Sequence, residues 1–252
     1  MTISAACVAL KAFRSGYEPE GSLVSAITDG HDYYAAPPSV PSTHAVIWVH
    51  DIFGVHPNAK QAVDIVSAAI NAHVILPDFF RGALPDRSKG REAILAFVEE
   101  HSYENHVRDD LINIIKWLKD TKGVTSVGVF GLCWGGRIAF SAGQDSGEEF
   151  SIIQAIGTAH PSRLDERDGG KGLRVPVCFL PSSGEDEAIM NSIWQEILSN
   201  TDKRVTSLSV HHRYDNMPHG FAGAGNDFSD PAKLAAANDA FMRAATFFNS
   251  TL

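Results

Sequence analysis

VGVFGLCWGGRIAF, residues 127–140, changes character in its middle. Up to Gly131 it reads as a strand buried on both faces, and from Trp134 onward as a helix. Between the two stands Gly131-Leu132-Cys133-Trp134-Gly135, a G-x-C-x-G turn with sulfur where the commoner strand-to-helix elbow carries a hydroxyl. The spacing has a steric reason: bulk at Gly131 or Gly135 would push the strand and the helix apart. A side chain in the middle of such a turn is held out at the top of the sheet. The Trp134 N–H, first in the helix, then faces the nucleophile as an oxyanion donor, and the helix dipole favours a thiolate at Cys133.

Outward from this turn the chain alternates. Behind it lie the apolar run AVIWVHD (45–51), a helical stretch near 58–72, HVILPD (73–78), an irregular loop around 81–88, and helices over 91–100 and 104–122. Ahead lie the run SIIQAIGTAH (151–160), a strand VPVCFL (175–180), a helix over 188–200, a strand RVTSLSV (204–210), a Gly-rich loop and a last helix over 231–248. A linker-like APPSVPST (36–43) separates a short N-terminal hairpin from this body. Buried strands joined by helices predict one domain over 1–252: α/β, with a mostly parallel central sheet and helices on both faces. With the G-x-C-x-G elbow this pattern resembles the α/β-hydrolase fold, and catalytic groups are expected on the loops at the strands' carboxyl ends.

That fold orders its site along the chain as nucleophile, acid, histidine. After Cys133, the strand VPVCFL runs into SSGEDE (182–187), and NMPHGF (216–221) follows the next strand. Asp186 is the expected acid, with Glu185 and Glu187 as near alternatives because a one-residue shift of the strand end moves the assignment. His219, between Pro218 and Gly220, is the expected general base, chosen by position from eleven histidines. The acid serves to fix the imidazole's tautomer and orientation. His211 and His212 read as strand or edge residues.

The bulk properties narrow the class. A chain of 252 residues with 44% hydrophobic composition suits one sizeable core. A net charge of -9 argues against an extended surface for nucleic-acid phosphates. Apolar runs fall well short of the roughly 18 residues a membrane span needs, and the N-terminus lacks the pattern of a secretory signal. Three scattered cysteines, Cys7, Cys133 and Cys178, do not make a disulfide framework. Together these predict a cytoplasmic protein with neither nucleic-acid nor membrane partners. Cys7 and Cys178 read as inert thiols.

Five segments resemble the dienelactone hydrolase family, its fungal-type members most closely: DIFG (51–54), LPDFFRG (76–82), GLCWGG (131–136), AHPS (159–162) and HGF (219–221). The resemblance spans nearly the whole chain from Gly21. It implies a monomeric enzyme, a dimer being the alternative, without metal or cofactor, that opens small lactones or esters through a thioester on Cys133. It also implies Ile52 N–H as the second oxyanion donor, Asp51 as the carboxylate controlling the nucleophile, and Arg81 as a reader of anionic substrate. His160 and Phe221 are expected at the substrate. Two departures weaken carboxylate binding: bacterial members carry glutamate at the place of Asp51, and a serine and a nearby arginine where this chain has Gly220 and Gly223. Two other functions share these residues, a lyase or isomerase acting on a ring-cleavage or polyketide-like intermediate and a non-catalytic small-molecule binder. Turnover beyond one equivalent separates the binder from the enzymes.

Overall fold

In the strand β3 (His44–Val49) alternate side chains enter opposite layers: Ala45, Ile47 and Val49 one, Val46 and Trp48 the other. That two-sided burial is what a central strand between helical layers requires. The computed structural model describes residues 17–24, 32–165 and 172–252. Cys7 and the turn of the N-terminal hairpin lie outside the described residues.

Eight strands form one sheet in the order β1-β2-β4-β3-β5-β6-β7-β8. β1 (Ser22–Val24) and β2 (Tyr33–Ala36) pair antiparallel, as the hairpin predicted, and β2 pairs antiparallel with β4 (His73–Pro77). β3, β4, β5 (Ser126–Leu132), β6 (Ile153–Ala159), β7 (Val177–Leu180) and β8 (Val210–His211) run parallel. Helices α1 (Pro57–Ile70) and α7 (Pro231–Thr251) cover one face with Val63, Val66, Phe241 and Phe248. α2 (Gly90–Glu100), α3 (Arg108–Lys122), α4 (Trp134–Gln144) and α5 (Glu187–Leu198) contribute Ile94, Leu111, Ile138 and Ile193 to the other. A π-helical turn, Tyr103–Val107, leads into α3, so the helix expected over 104–122 is one element with a wider first turn.

One element departs from the sequence reading. RVTSLSV was expected as a strand, but Lys203–Leu208 is a helix, α6, and the strand is only Val210–His211. Asp202 explains it: its side chain accepts the Arg204 N–H at 2.7 Å and caps a helical turn, and Val205 buries completely. Cap and burial together outweigh the β preference of Val205 and Thr206.

Candidate active site

The elbow is as tight as its glycines require. A Cβ on Gly131 would collide with the Gly135 carbonyl, and one on Gly135 with the carbonyls of Val49 and His50. Between them Cys133 takes φ 53°, ψ -110°, a conformation L-residues rarely adopt and one that costs about 1–3 kcal/mol. Backbone bonds hold it there: the Cys133 carbonyl accepts the N–H of Gly136 at 3.0 Å and of Ser162 at 2.9 Å. Helix α4 starts at the next residue, so its N-terminus abuts the sulfur.

Sγ of Cys133 lies 3.2 Å from Nε2 of His219, and Nδ1 of His219 lies 2.6 Å from Oε1 of Glu185. All three side chains are buried. The carboxylate against the imidazole is therefore Glu185, not the expected Asp186. Asp186 instead forms the N-cap of α5, accepting the Ile189 N–H at 3.1 Å. Glu187, the other alternative, is exposed in the first turn of the same helix. Glu185 is held in turn by Ser182, whose N–H bonds Oε2 and whose hydroxyl donates to Oε1 at 3.1 Å. Burial lowers the His219 pKa, but charge and hydrogen bonds from Cys133 and Glu185 outweigh it and hold the imidazole at about 10. The same contacts favour a thiolate and an imidazolium over the neutral pair. Cys178, by contrast, is an inert core thiol of β7, its pKa pushed up by burial.

Asp51 is buried where β3 meets the loop before α1. Its Oδ1 accepts the Phe53 N–H at 2.9 Å and its Oδ2 the Ala224 N–H at 2.8 Å, so one carboxylate ties two loops together. Burial raises its pKa, opposed by those two amides and by the charge of His219. Gly223 is explained by the same contact, since a Cβ there would run into Asp51 Oδ2. A side chain at that position, as in the bacterial pattern, is incompatible with this carboxylate placement.

His160 ends β6 at φ 40°, fully buried, its ring edge-to-face with His219 (centroids 5.2 Å) and Phe221 (5.6 Å). Burial, then the charge of His219, pushes its pKa well down, so it stays neutral. Phe221, expected at the substrate, is buried and packs on Tyr214 at 4.5 Å as well as on His160. Ile52 is buried beside Asp51, and Trp134 turns its indole into an aromatic group with His50, Phe79 and Phe80. Arg81, at φ 51°, directs its guanidinium to Asp110 of α3, 3.1 Å away.

Sequence reading passed over three side chains of this site. Ser162, quoted only within AHPS, puts its hydroxyl 3.5 Å from Sγ. Ser182 orients Glu185, and His50 bonds the Asp51 carbonyl. A cavity of about 210 Å³ is lined by Ser162, Arg163, Gly184 and Glu185, and one of about 320 Å³ lies beside Trp134, Arg137 and Arg163. A larger one, about 400 Å³, sits at the β8–α7 edge among Val210, Asp239 and Met242, and neither Cys133, Glu185 nor His219 lines it. Among the described residues, no group of three or more His, Cys, Asp or Glu is placed to hold a metal ion.

A strained cysteine elbow after the fifth strand, a histidine after the eighth and a mostly parallel eight-stranded sheet define an α/β hydrolase. Residues 31–252 match the profile of the dienelactone hydrolase family, and the chain belongs to that family. It is accordingly a hydrolase of the ester and lactone class. Among its relatives are an uncharacterized AIM2 family protein of Schizosaccharomyces pombe, 25% identical over 224 residues and covering 85% of each chain. Another is Dienlactone hydrolase 1 of Gibberella moniliformis, 25% identical over 234 residues, covering 89% of this chain and 85% of that one. The crystal structure of dienelactone hydrolase from Anabaena variabilis superposes with a TM-score of 0.64 at 15% identity, covering 94% of this chain and 100% of that one. At that identity the likeness establishes the fold alone. Among the described residues, no helix is long and apolar enough to cross a membrane.

Proposed function

We propose that the chain hydrolyses small carboxylic esters or lactones by acyl transfer through Cys133, with His219 carrying the proton and Glu185 orienting His219. The observation that carries this reading is the unbroken line Glu185–His219–Cys133, at 2.6 Å and 3.2 Å, ending at a helix N-terminus. The Cys133 thiolate bonds to the substrate carbonyl carbon, and the displaced electron pair moves to oxygen, facing the N–H groups of Ile52 and Trp134. When the oxyanion collapses, the C–O bond to the alkoxy group breaks, and that oxygen takes the Nε2 proton of His219. A thioester remains. His219, now neutral, takes a proton from water as its oxygen bonds to the thioester carbon. Cleavage of the C–S bond restores the thiolate and imidazolium.

The surrounding residues are assigned by chemistry. Asp51 adds a negative charge to the site and opposes a second one on sulfur. His160 walls the site as a neutral ring, with Phe221 supporting it from behind. Arg81, with a planar fork suited to carboxylates, is the reader of anionic substrates, in competition with Asp110. The medium is that of a cytoplasmic enzyme with a small-molecule substrate, and its working state is a monomer.

p-Nitrophenyl acetate and a panel of small lactones test the reading. Cys133→Ala should lower turnover by about 10⁴-fold or more with an unchanged melting profile, since its side chain faces the site. Mass spectrometry of a quenched reaction should find the acyl group on the peptide containing Cys133. In the same panel, Arg81→Ala should raise KM for acidic lactones several-fold and leave neutral esters unaffected. Retained turnover in Cys133→Ala would sink the central assignment.

A further inference from the structure

His50 is the last residue before Asp51, its ring completely buried. It stacks on Trp134, with centroids 5.4 Å apart and planes 20° from parallel, and stands edge-on to Phe80 at 4.5 Å. Its Nδ1 lies 2.8 Å from the carbonyl oxygen of Asp51, which also accepts the Gly54 N–H at 3.1 Å. A carbonyl oxygen only accepts, so the proton must sit on Nδ1. Burial keeps the ring neutral, with a pKa of about 4, the bond to Asp51 pulling the other way. Nε2 is buried with no hydrogen-bond partner among the described residues.

Those facts bear on the oxyanion donor. The Asp51 carbonyl and the Ile52 N–H are opposite ends of one planar peptide unit, so holding the oxygen fixes the direction of the N–H. A carbonyl that accepts two donors also polarises its amide and makes the N–H a stronger donor. An apolar side chain would fill this aromatic nest without leaving a nitrogen unpaired, so the histidine carries a cost that packing alone does not explain.

We propose that His50 is a positioning residue for the oxyanion hole: its Nδ1–H anchors the Asp51 carbonyl and aims the Ile52 N–H, while its ring braces Trp134, which carries the other donor. The proposal rests on the acyl-transfer reading above, which supplies the oxyanion.

Two substitutions separate the bond from the packing. His50→Leu keeps bulk and removes the donor, whereas His50→Asn places an amide N–H near the position of Nδ1. Each is assayed for kcat and KM with p-nitrophenyl acetate, for inhibition by a trifluoromethyl ketone that mimics the tetrahedral state, and for iodoacetamide alkylation of Cys133, which needs no oxyanion hole. We expect His50→Leu to lose about 10- to 100-fold in kcat, with KM within about twofold. The ketone's affinity should fall in parallel, and alkylation should stay at the wild-type rate. His50→Asn should recover most of the loss. If His50→Leu does not fold, His50→Phe replaces it as the variant without a donor. Wild-type kcat without the donor, equal impairment in His50→Asn, or slowed alkylation would each overturn the proposal. Failure of the acyl-transfer reading would look different, as turnover surviving in Cys133→Ala whatever stands at position 50.

Discussion

Asp186 closes the first turn of α5 through the Ile189 N–H, while Glu185, one residue earlier, reaches Nδ1 of His219 at 2.6 Å. The two roles call for opposite environments, an exposed helix end for the cap and a buried pocket for the acid. They also predict opposite phenotypes. Glu185→Gln keeps shape but loses the charge that steadies the imidazolium, and kcat should fall by about 10²- to 10⁴-fold. Asp186→Ala should leave kcat within about twofold and cost about 1 kcal/mol of stability, the usual worth of an N-cap. Steady-state kinetics and urea unfolding of both proteins check this, and a large kcat loss confined to Asp186→Ala would return the acid to Asp186. Sequence could narrow the acid to a three-residue cluster but not to one residue, because choosing within it requires knowing where α5 begins. Asp is among the strongest N-cap residues, and a helix beginning at Glu187 would have claimed Asp186 for that role and left Glu185 for the site. Cys133 and His219, whose side chains lie 3.2 Å apart, needed no such detail: glycine spacing around Cys133 and the order of the chain pointed to both.

Among the elements, the loops after β3 and after His219 are the parts whose joining was least legible. DIFG and HGF are 165 or more residues apart, yet Asp51 ties them by accepting amides from Phe53 and Ala224. Nothing in local periodicity reports such a long-range bond, whereas the strands and helices that bury continuous apolar surface declared themselves. The misread α6 belongs with the loops, since its form depends on a cap and one buried valine rather than on a long pattern. The tie also sets up a measurement. Asp51→Asn removes a buried carboxylate whose charge and that of His219 act on each other. Free-enzyme alkylation of Cys133 should then speed up by about three- to tenfold on the acid limb of its pH profile, where the sulfur is still protonated, and stay unchanged where the pair is already thiolate and imidazolium. Superimposed alkylation rates across pH would leave Asp51 with the loop tie alone.

At the scale of the whole molecule, the site's side chains are buried at the carboxyl end of the sheet, so their protonation states are coupled to folding. His50, with a pKa of about 4, and His160, pushed well down, stay neutral in the fold but take up protons near pH 6.5 when unfolded. Between about pH 6.5 and 4 the unfolded state therefore binds more protons, and stability falls as pH falls. His219 acts with the opposite sign. Taken alone, its raised pKa of about 10 gives stability that is full below about 6.5 and lost as pH rises through 10. In the proposed ion pair, however, that proton comes from Cys133. Counted as a pair, the folded thiolate and imidazolium hold one proton, as do a neutral histidine and thiol in the unfolded chain, until the free thiol ionises near pH 8.5. The alkaline loss should thus begin only above about 8.5, leaving a plateau between about 6.5 and 8.5. Urea midpoints measured from pH 4 to 10 test this, and Cys133→Ala identifies the groups. Without that sulfur the unfolded chain has one thiol fewer to ionise, so the break near about 8.5 should shrink to the part that Cys178, held protonated by burial, contributes in both proteins, while the acid limb from His50 and His160 persists. A midpoint that declines steadily from pH 6.5 upward in the wild type would mean that Cys133 and His219 do not share one proton in the folded state.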